Sequence, residues 1–156
     1  MRCIATEIIP DLWVGDRDSI EDLIFLNDNK FNLIINCTRD VEFNKHYTNC
    51  ENIRLPIDDQ PHRNLFQSNI DLYNKLEDIV EYIHEYLGQN KSVLIFCKEG
   101  RQRSPTVIAG YIMKYGKVSS KQAVEYIKSK RSDAFEPRIN FYMTLQKFEK
   151  KSMNNL

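Results

Sequence analysis

Apolar and polar residues alternate along this chain on two periods, and the change from one to the other marks out strands and helices. The short runs EII (7–9) and LWV (12–14) read as early strands joined by a turn at Pro10-Asp11. SIEDLIFLNDN (19–29) places Ile20, Leu23, Ile24 and Leu26 on a weak helical face. FNLIINC (31–37) is a β-rich run suited to a buried strand. NIRLPI (52–57) is another, and it runs into the polar stretch Asp58-Asp59-Gln60-Pro61. A long helix is predicted from Leu65 to Leu87, because Ile70, Tyr73, Leu76, Ile79, Val80, Ile83 and Leu87 recur at steps of three and four. Gly88 stands at its exit.

SVLIFC (92–97) is a further buried strand, followed by the sharp loop KEGRQR. The next helix is expected to start with Ser104 as its cap and Pro105 at its first position, and to close at Gly116. Ser119 and Gln122 have capping-box spacing for another helix. Pro137 is expected to open the last helix, with Phe141, Leu145 and Phe148 facing inward. Trp13, Phe66, Tyr73, Tyr111 and Phe141 are read as core. Helices alternating with strands predict an α/β fold, a central sheet flanked by helices.

At 156 residues the chain fits one domain, expected over 1–150 with a short tail at 151–156. Hydrophobic residues make up 42% and charged residues 28%, which fits a globular protein. The 22 basic side chains balance 22 acidic ones, so no global field argues for a nucleic-acid or membrane partner. No apolar run is long enough to span a bilayer. The first residues lack a secretory h-region, so a cytoplasmic or nuclear location is expected. Cys3, Cys37, Cys50 and Cys97 match no zinc spacing and are too sparse for a disulfide scaffold, so reduced thiols are expected. His46, His62 and His84 show no metal spacing and are read as surface residues. No metal or cofactor is expected.

The chemistry concentrates in Cys97-Lys98-Glu99-Gly100-Arg101-Gln102-Arg103, between a strand and a helix. Such a loop wraps backbone N–H groups around one point at a helix N-terminus, which favours a dianion there and a thiolate at the cysteine. Gly100 lets the chain bend without a Cβ. Arg103 can bind two phosphoryl oxygens, and Ser104 can donate to the departing thiolate. A cysteine, a glycine, an arginine and a serine at these offsets arise by chance in roughly one such chain in a thousand, at average residue usage.

CKEGRQRSPT resembles the signature loop of the dual-specificity group of protein tyrosine phosphatases. The likeness runs from IIPDLWVG to FEPRINFYMTLQKFE. It implies a mixed central sheet flanked by helices and metal-independent hydrolysis of phosphomonoesters, chiefly phosphotyrosine and phosphoserine/threonine in proteins. The implied route is a phosphocysteine on Cys97, with Arg103 and the loop 98–103 (Lys98, Glu99, Gly100, Arg101, Gln102) binding the phosphoryl group. A general acid is also implied, and counting from Pro56 to Asn64-Leu65 puts it on Asp59, with Asp58 as runner-up.

Several residues depart from that pattern. Phe96 replaces a histidine that braces the loop, which implies either an altered enzyme or a phosphate-binding module with weak turnover. Arg138 stands where relatives carry asparagine, and is read as a solvated residue at a helix start. Lys98 and Arg101 make the loop basic, as in inositol-phosphate-directed relatives, whereas Glu99 is closer to protein-directed ones. An inositol phosphate or an RNA 5′ phosphate therefore stays open as the substrate. Sulfurtransferases that resemble this loop carry their arginine at the position of Gln102, and low-molecular-weight phosphatases carry the loop at the N-terminus, so neither pattern fits. Cys37 is expected beside the signature loop, either as core filler or as a partner for oxidised Cys97.

Overall fold

The computed structural model describes residues 3–59 and 64–154. Gln60, Pro61 and His62 of the polar stretch, and the last two residues of the tail, lie outside them. In chain order the elements are β1 (Ala5–Ile9), β2 (Leu12–Gly15), α1 (Arg17–Glu21), α2 (Leu23–Asn29), β3 (Leu33–Asn36), β4 (Glu51–Arg54), α3 (Leu65–Gly88), β5 (Val93–Phe96), α4 (Arg103–Gly116), α5 (Ser120–Lys130) and α6 (Tyr142–Asn154). The strands form one sheet in the order β1-β2-β5-β3-β4. β1 runs antiparallel to β2 and the other pairings are parallel, so the sheet is mixed, as expected.

Period-two alternation explains why the central strands read as continuous apolar runs. Val93, Ile95 and Cys97 face one side with Leu33, Ile35 and Cys37, and the inner faces of α3, α4, α5 and α6 cover them. Leu94 and Phe96 face the other side with Ile34, beneath Ile20 and Leu26 of α1 and α2. α4 is the central helix of the larger layer and packs against α3, α5 and α6. A Cβ at its Gly110 would come within 3.0 Å of Leu76, so α3 and α4 approach closely there. This packing holds the N-terminus of α4 against the C-terminal end of β5.

The element boundaries depart from the sequence reading where polar side chains take over backbone groups. The helix expected over 19–29 is two helices broken at Asp22, whose carboxylate accepts from Phe25 N at 2.9 Å and caps α2. Asp16 caps α1 in the same way. Both aspartates offer the backbone an alternative to a continuous ladder. α4 starts at Arg103, not Ser104: Gln102 is its N-cap and Ser104 lies inside the first turn. The left-handed exits of α3 and α4 fall on Asn90 (φ 60°) and Lys117 (φ 55°), not on the glycines before them.

Pro137 does not open a helix, and Arg138 is exposed on an irregular segment rather than at a helix start. The Gln102 amide binds the Glu136 and Arg138 carbonyls and the Asn140 N–H, groups that a helix would otherwise use, so α6 begins only at Tyr142. Phe141, Leu145 and Phe148 are buried as predicted. α6 continues to Asn154, into the segment expected to be a tail. Phe66 is 68% exposed and is not core. Leu65 takes the inward position in that turn, and the next residue points about 100° further round the helix.

Candidate active site

The loop between β5 and α4 turns its carbonyls outward. Arg17 N donates to Lys98 O at 3.1 Å and Phe135 N to Arg101 O at 2.6 Å. Arg131 Nε donates to Gly100 O at 3.1 Å. With these three carbonyls bound by neighbouring donors, the amides of 98–102 donate to no protein acceptor among the described residues. Gly100 has φ +68°, and a Cβ there would meet Arg131 Nη2 at 2.8 Å and Gly15 O at 3.0 Å. The reversal of the loop therefore requires glycine. Arg131, buried at the end of α5, also bonds Cys3 O and Thr6 Oγ1, so it fastens the loop to β1.

Cys97 lies at the base of this cradle, buried, with its Sγ 3.2 Å from Ser104 Oγ. The serine is thus not a helix cap but a hydrogen-bond partner of the thiol. Arg103, the first residue of α4, donates through Nη1 to Ile57 O at 2.9 Å and Cys37 O at 3.4 Å. Its Nε is buried without a hydrogen bond and sits 3.8 Å from Asp59 Oδ2. The other Asp59 oxygen accepts from Asn140 Nδ2 at 2.9 Å. Burial raises the Asp59 carboxyl above the ordinary carboxylate range, and the Asn140 hydrogen bond and Arg103 oppose that rise.

The predicted catalytic and phosphate-binding residues, except Ser104 and Gly100, line one cavity of about 530 Å³: Cys97, Arg103, Asp59 and Asp58, with Lys98, Glu99, Arg101 and Gln102 at its wall and rim. Gly100 faces away from it, toward Arg131 and Gly15. Lys98 pairs with Asp40 at 2.8 Å, and Arg101 lies 3.5 Å from Asp133 and 3.8 Å from Glu99. The cavity thus joins a ring of amide donors, a guanidinium, a thiol and a half-buried carboxyl. That set can bind a phosphoryl group, attack it with sulfur and protonate a leaving oxygen. No group of three or more metal-ligating side chains occurs among the described residues.

Phe96 is fully buried on the opposite face of the sheet, edge-to-face with Phe43 at 6.4 Å, so its packing is apolar. Cys37 and Cys97 follow the paired residues Asn36 and Phe96 on adjacent parallel strands and share a face. Burial raises the Cys37 thiol well above its ordinary range, and Cys97 adds to that rise. Asn140, Arg131 and the bracing role of Gln102 were missed from sequence, since each acts across 31 or more residues of chain.

The chain matches the family model for the dual specificity phosphatase catalytic domain over residues 12–151. It is 32% identical over 93% of its length to a protein of Invertebrate iridescent virus 6 provisionally named tyrosine phosphatase 123R, of which it covers 92%. It is 30% identical over 92% of its length to human dual specificity protein phosphatase 9, of which it covers 36%. It thus spans most of the viral relative but only about a third of the human one. The fold superposes on the crystal structure of human DUSP28 with a TM-score of 0.84 at 24% identity, covering 98% of this chain and 97% of that one. No helix among the described residues is long and apolar enough to cross a membrane.

Proposed function

Since the chain belongs to the dual specificity phosphatase family of cysteine-dependent protein phosphatases, we propose that it hydrolyses phosphotyrosine and phosphoserine/threonine in proteins through a phosphocysteine on Cys97. Cys97 Sγ attacks phosphorus as the bond to the leaving oxygen breaks, and Asp59 gives that oxygen its proton. Water then attacks the phosphocysteine, Asp59 takes up the proton of the water, and the thiolate departs toward the Ser104 hydroxyl. The amides of 98–103 and Arg103 hold the equatorial oxygens, where charge is concentrated in both steps.

The observation that carries this reading is the cradle: loop amides without protein acceptors, closing on a buried cysteine with an arginine and a carboxyl beside it. The raised Asp59 carboxyl supports its role as acid, since burial favours the protonated form that must donate. A second reading, a phosphate-binding module with weak turnover, draws on Phe96, whose apolar side chain gives the loop no polar brace.

Turnover of phosphopeptides, an inositol polyphosphate and 5′-triphosphorylated RNA by wild type and Cys97→Ser separates the readings. Peptide hydrolysis by wild type, lost in Cys97→Ser with phosphate binding kept, supports the proposal. Phosphopeptide binding without turnover by wild type favours the binding module, and faster turnover of the other substrates overturns the protein assignment.

A further inference from the structure

The basic residues of the loop itself are already paired. Lys98 is held by Asp40 at 2.8 Å, and Arg101 lies between Glu99 and Asp133. Two other cations line the same mouth: Arg39 and Arg138, both exposed, with no ion pair or hydrogen bond to either side chain among the described residues. Of the acidic groups there, Asp40 and Glu99 are matched by those loop cations, Glu136 by Lys128 and Asp59 by Arg103. Asp58 alone stands against the two arginines.

Their placement follows from the topology. Arg39 lies just beyond the end of β3, which flanks β5 on one side. Arg138 follows α5, which packs on β1 beyond the other side of β5. Asp40, next to Arg39, pairs with Lys98 at the start of the signature loop, and Arg138 O accepts from Gln102 at its end, so the two arginines stand at opposite ends of the loop. The Arg138 backbone is fixed, since its carbonyl accepts from Gln102 Nε2 at 2.7 Å.

We infer that Arg39 and Arg138 are specificity residues that select phosphopeptides with acidic side chains on both sides of the phosphorylated residue. This rests on the phosphatase reading above. An extended peptide advances about 3.3–3.6 Å per residue, so side chains two positions before and after the phosphoresidue reach the two sides of the mouth. Opposed, unpaired cations suit a chain that crosses the opening.

The test measures kcat/KM for one phosphotyrosine peptide series with Glu, Ala or Lys at the −2 and +2 positions, alongside an aryl phosphate and an inositol polyphosphate. The wild type is expected to prefer the doubly acidic peptide to the Ala peptide by on the order of tenfold, as expected from about two- to fivefold per exposed charge contact. Arg39→Ala and Arg138→Ala are each expected to remove one share of that preference, each at a different end of the peptide, and to leave aryl phosphate turnover unchanged. At 1 M salt, where the screening length is about 3 Å, the preference should collapse. Equal rates across the three peptides, or a larger loss for the inositol polyphosphate than for the acidic peptide in the arginine variants, overturns the inference. Absence of turnover on every substrate, the aryl phosphate included, overturns the phosphatase reading itself.

Discussion

Asn140→Ala tests how the proposed acid is held. The Asn140 amide donates to Asp59 Oδ1 at 2.9 Å in a half-buried setting. Hydrogen bonds to charged groups contribute about 1.5–3 kcal/mol. If that energy fixes Asp59 for proton transfer, losing it lowers the rate by one to two powers of ten, at about 1.4 kcal/mol per factor of ten. The rest of the segment stays in place, because Asn140 N donates to Gln102 Oε1 at 3.0 Å and its carbonyl accepts from Asn69 Nδ2 at 3.2 Å, both main-chain contacts.

The pH response has a definite sign. The amide favours the ionised carboxylate, so its removal raises the Asp59 carboxyl further and moves the alkaline limb of kcat to higher pH. The assay is kcat against pH for aryl phosphates whose leaving groups differ in acidity. The loss is expected to be steep for poor leaving groups and slight for good ones. It should disappear in the Asp59→Ala background, because the two residues act as one unit. An equal loss for every leaving group, an unmoved alkaline limb, or full additivity with Asp59→Ala refutes the coupling.

Asp59→Asn is expected to raise the melting temperature at neutral pH but not near about pH 3, below the ordinary carboxylate range. The folded-state carboxyl is raised, so wild type loses stability as pH climbs through the raised value, whereas the amide has no charge to bury. Equal melting temperatures at both pH values contradict this. Gly100→Ala is expected to reduce activity at least tenfold, as the added Cβ collides with Arg131 Nη2 and Gly15 O at a φ of +68°; unchanged kcat/KM contradicts the loop geometry. Mild peroxide is expected to yield a Cys37–Cys97 disulfide, since the two cysteines directly follow the paired residues Asn36 and Phe96 at the ends of strands about 4.8 Å apart, within disulfide reach. Cys97 would be oxidised to the sulfenic acid and the Cys37 thiol would then displace water. Peptide mapping with thiol rescue of activity checks it, and irreversible inactivation unaltered in Cys37→Ser contradicts it.

The signature loop was legible because its chemistry is contiguous: seven successive residues, from Cys97 to Arg103, hold the thiol, the glycine bend and the guanidinium. β5 and α4 were legible for the same local reason. Asp59 needed the family resemblance, since two neighbouring aspartates before a proline are equally good turn formers. The Asn140 hydrogen bond and the nearby Arg103 guanidinium favour Asp59 over Asp58 in the proposed role. The charges of Lys98 and Arg101 could be read, but their neutralisation could not, because Asp40 and Asp133 join them only in three dimensions. Ser104 fits both a cap and a thiol partner in sequence, and only the start of α4 at Arg103 decides between them. The break at Asp22 and the late start of α6 were missed because side-chain amides and carboxylates outcompete helix bonds there.

A covalent phosphocysteine on Cys97 is detected by acid quench of wild type mixed with a ³²P-labelled phosphotyrosine peptide, followed by peptide mapping. Label on the Cys97 peptide within the first turnover, increased in an Asp59 variant tested on a substrate with a good leaving group and absent in Cys97→Ser, is the predicted result. Product release with no label on Cys97 at any time, or turnover persisting in Cys97→Ser, would contradict the account.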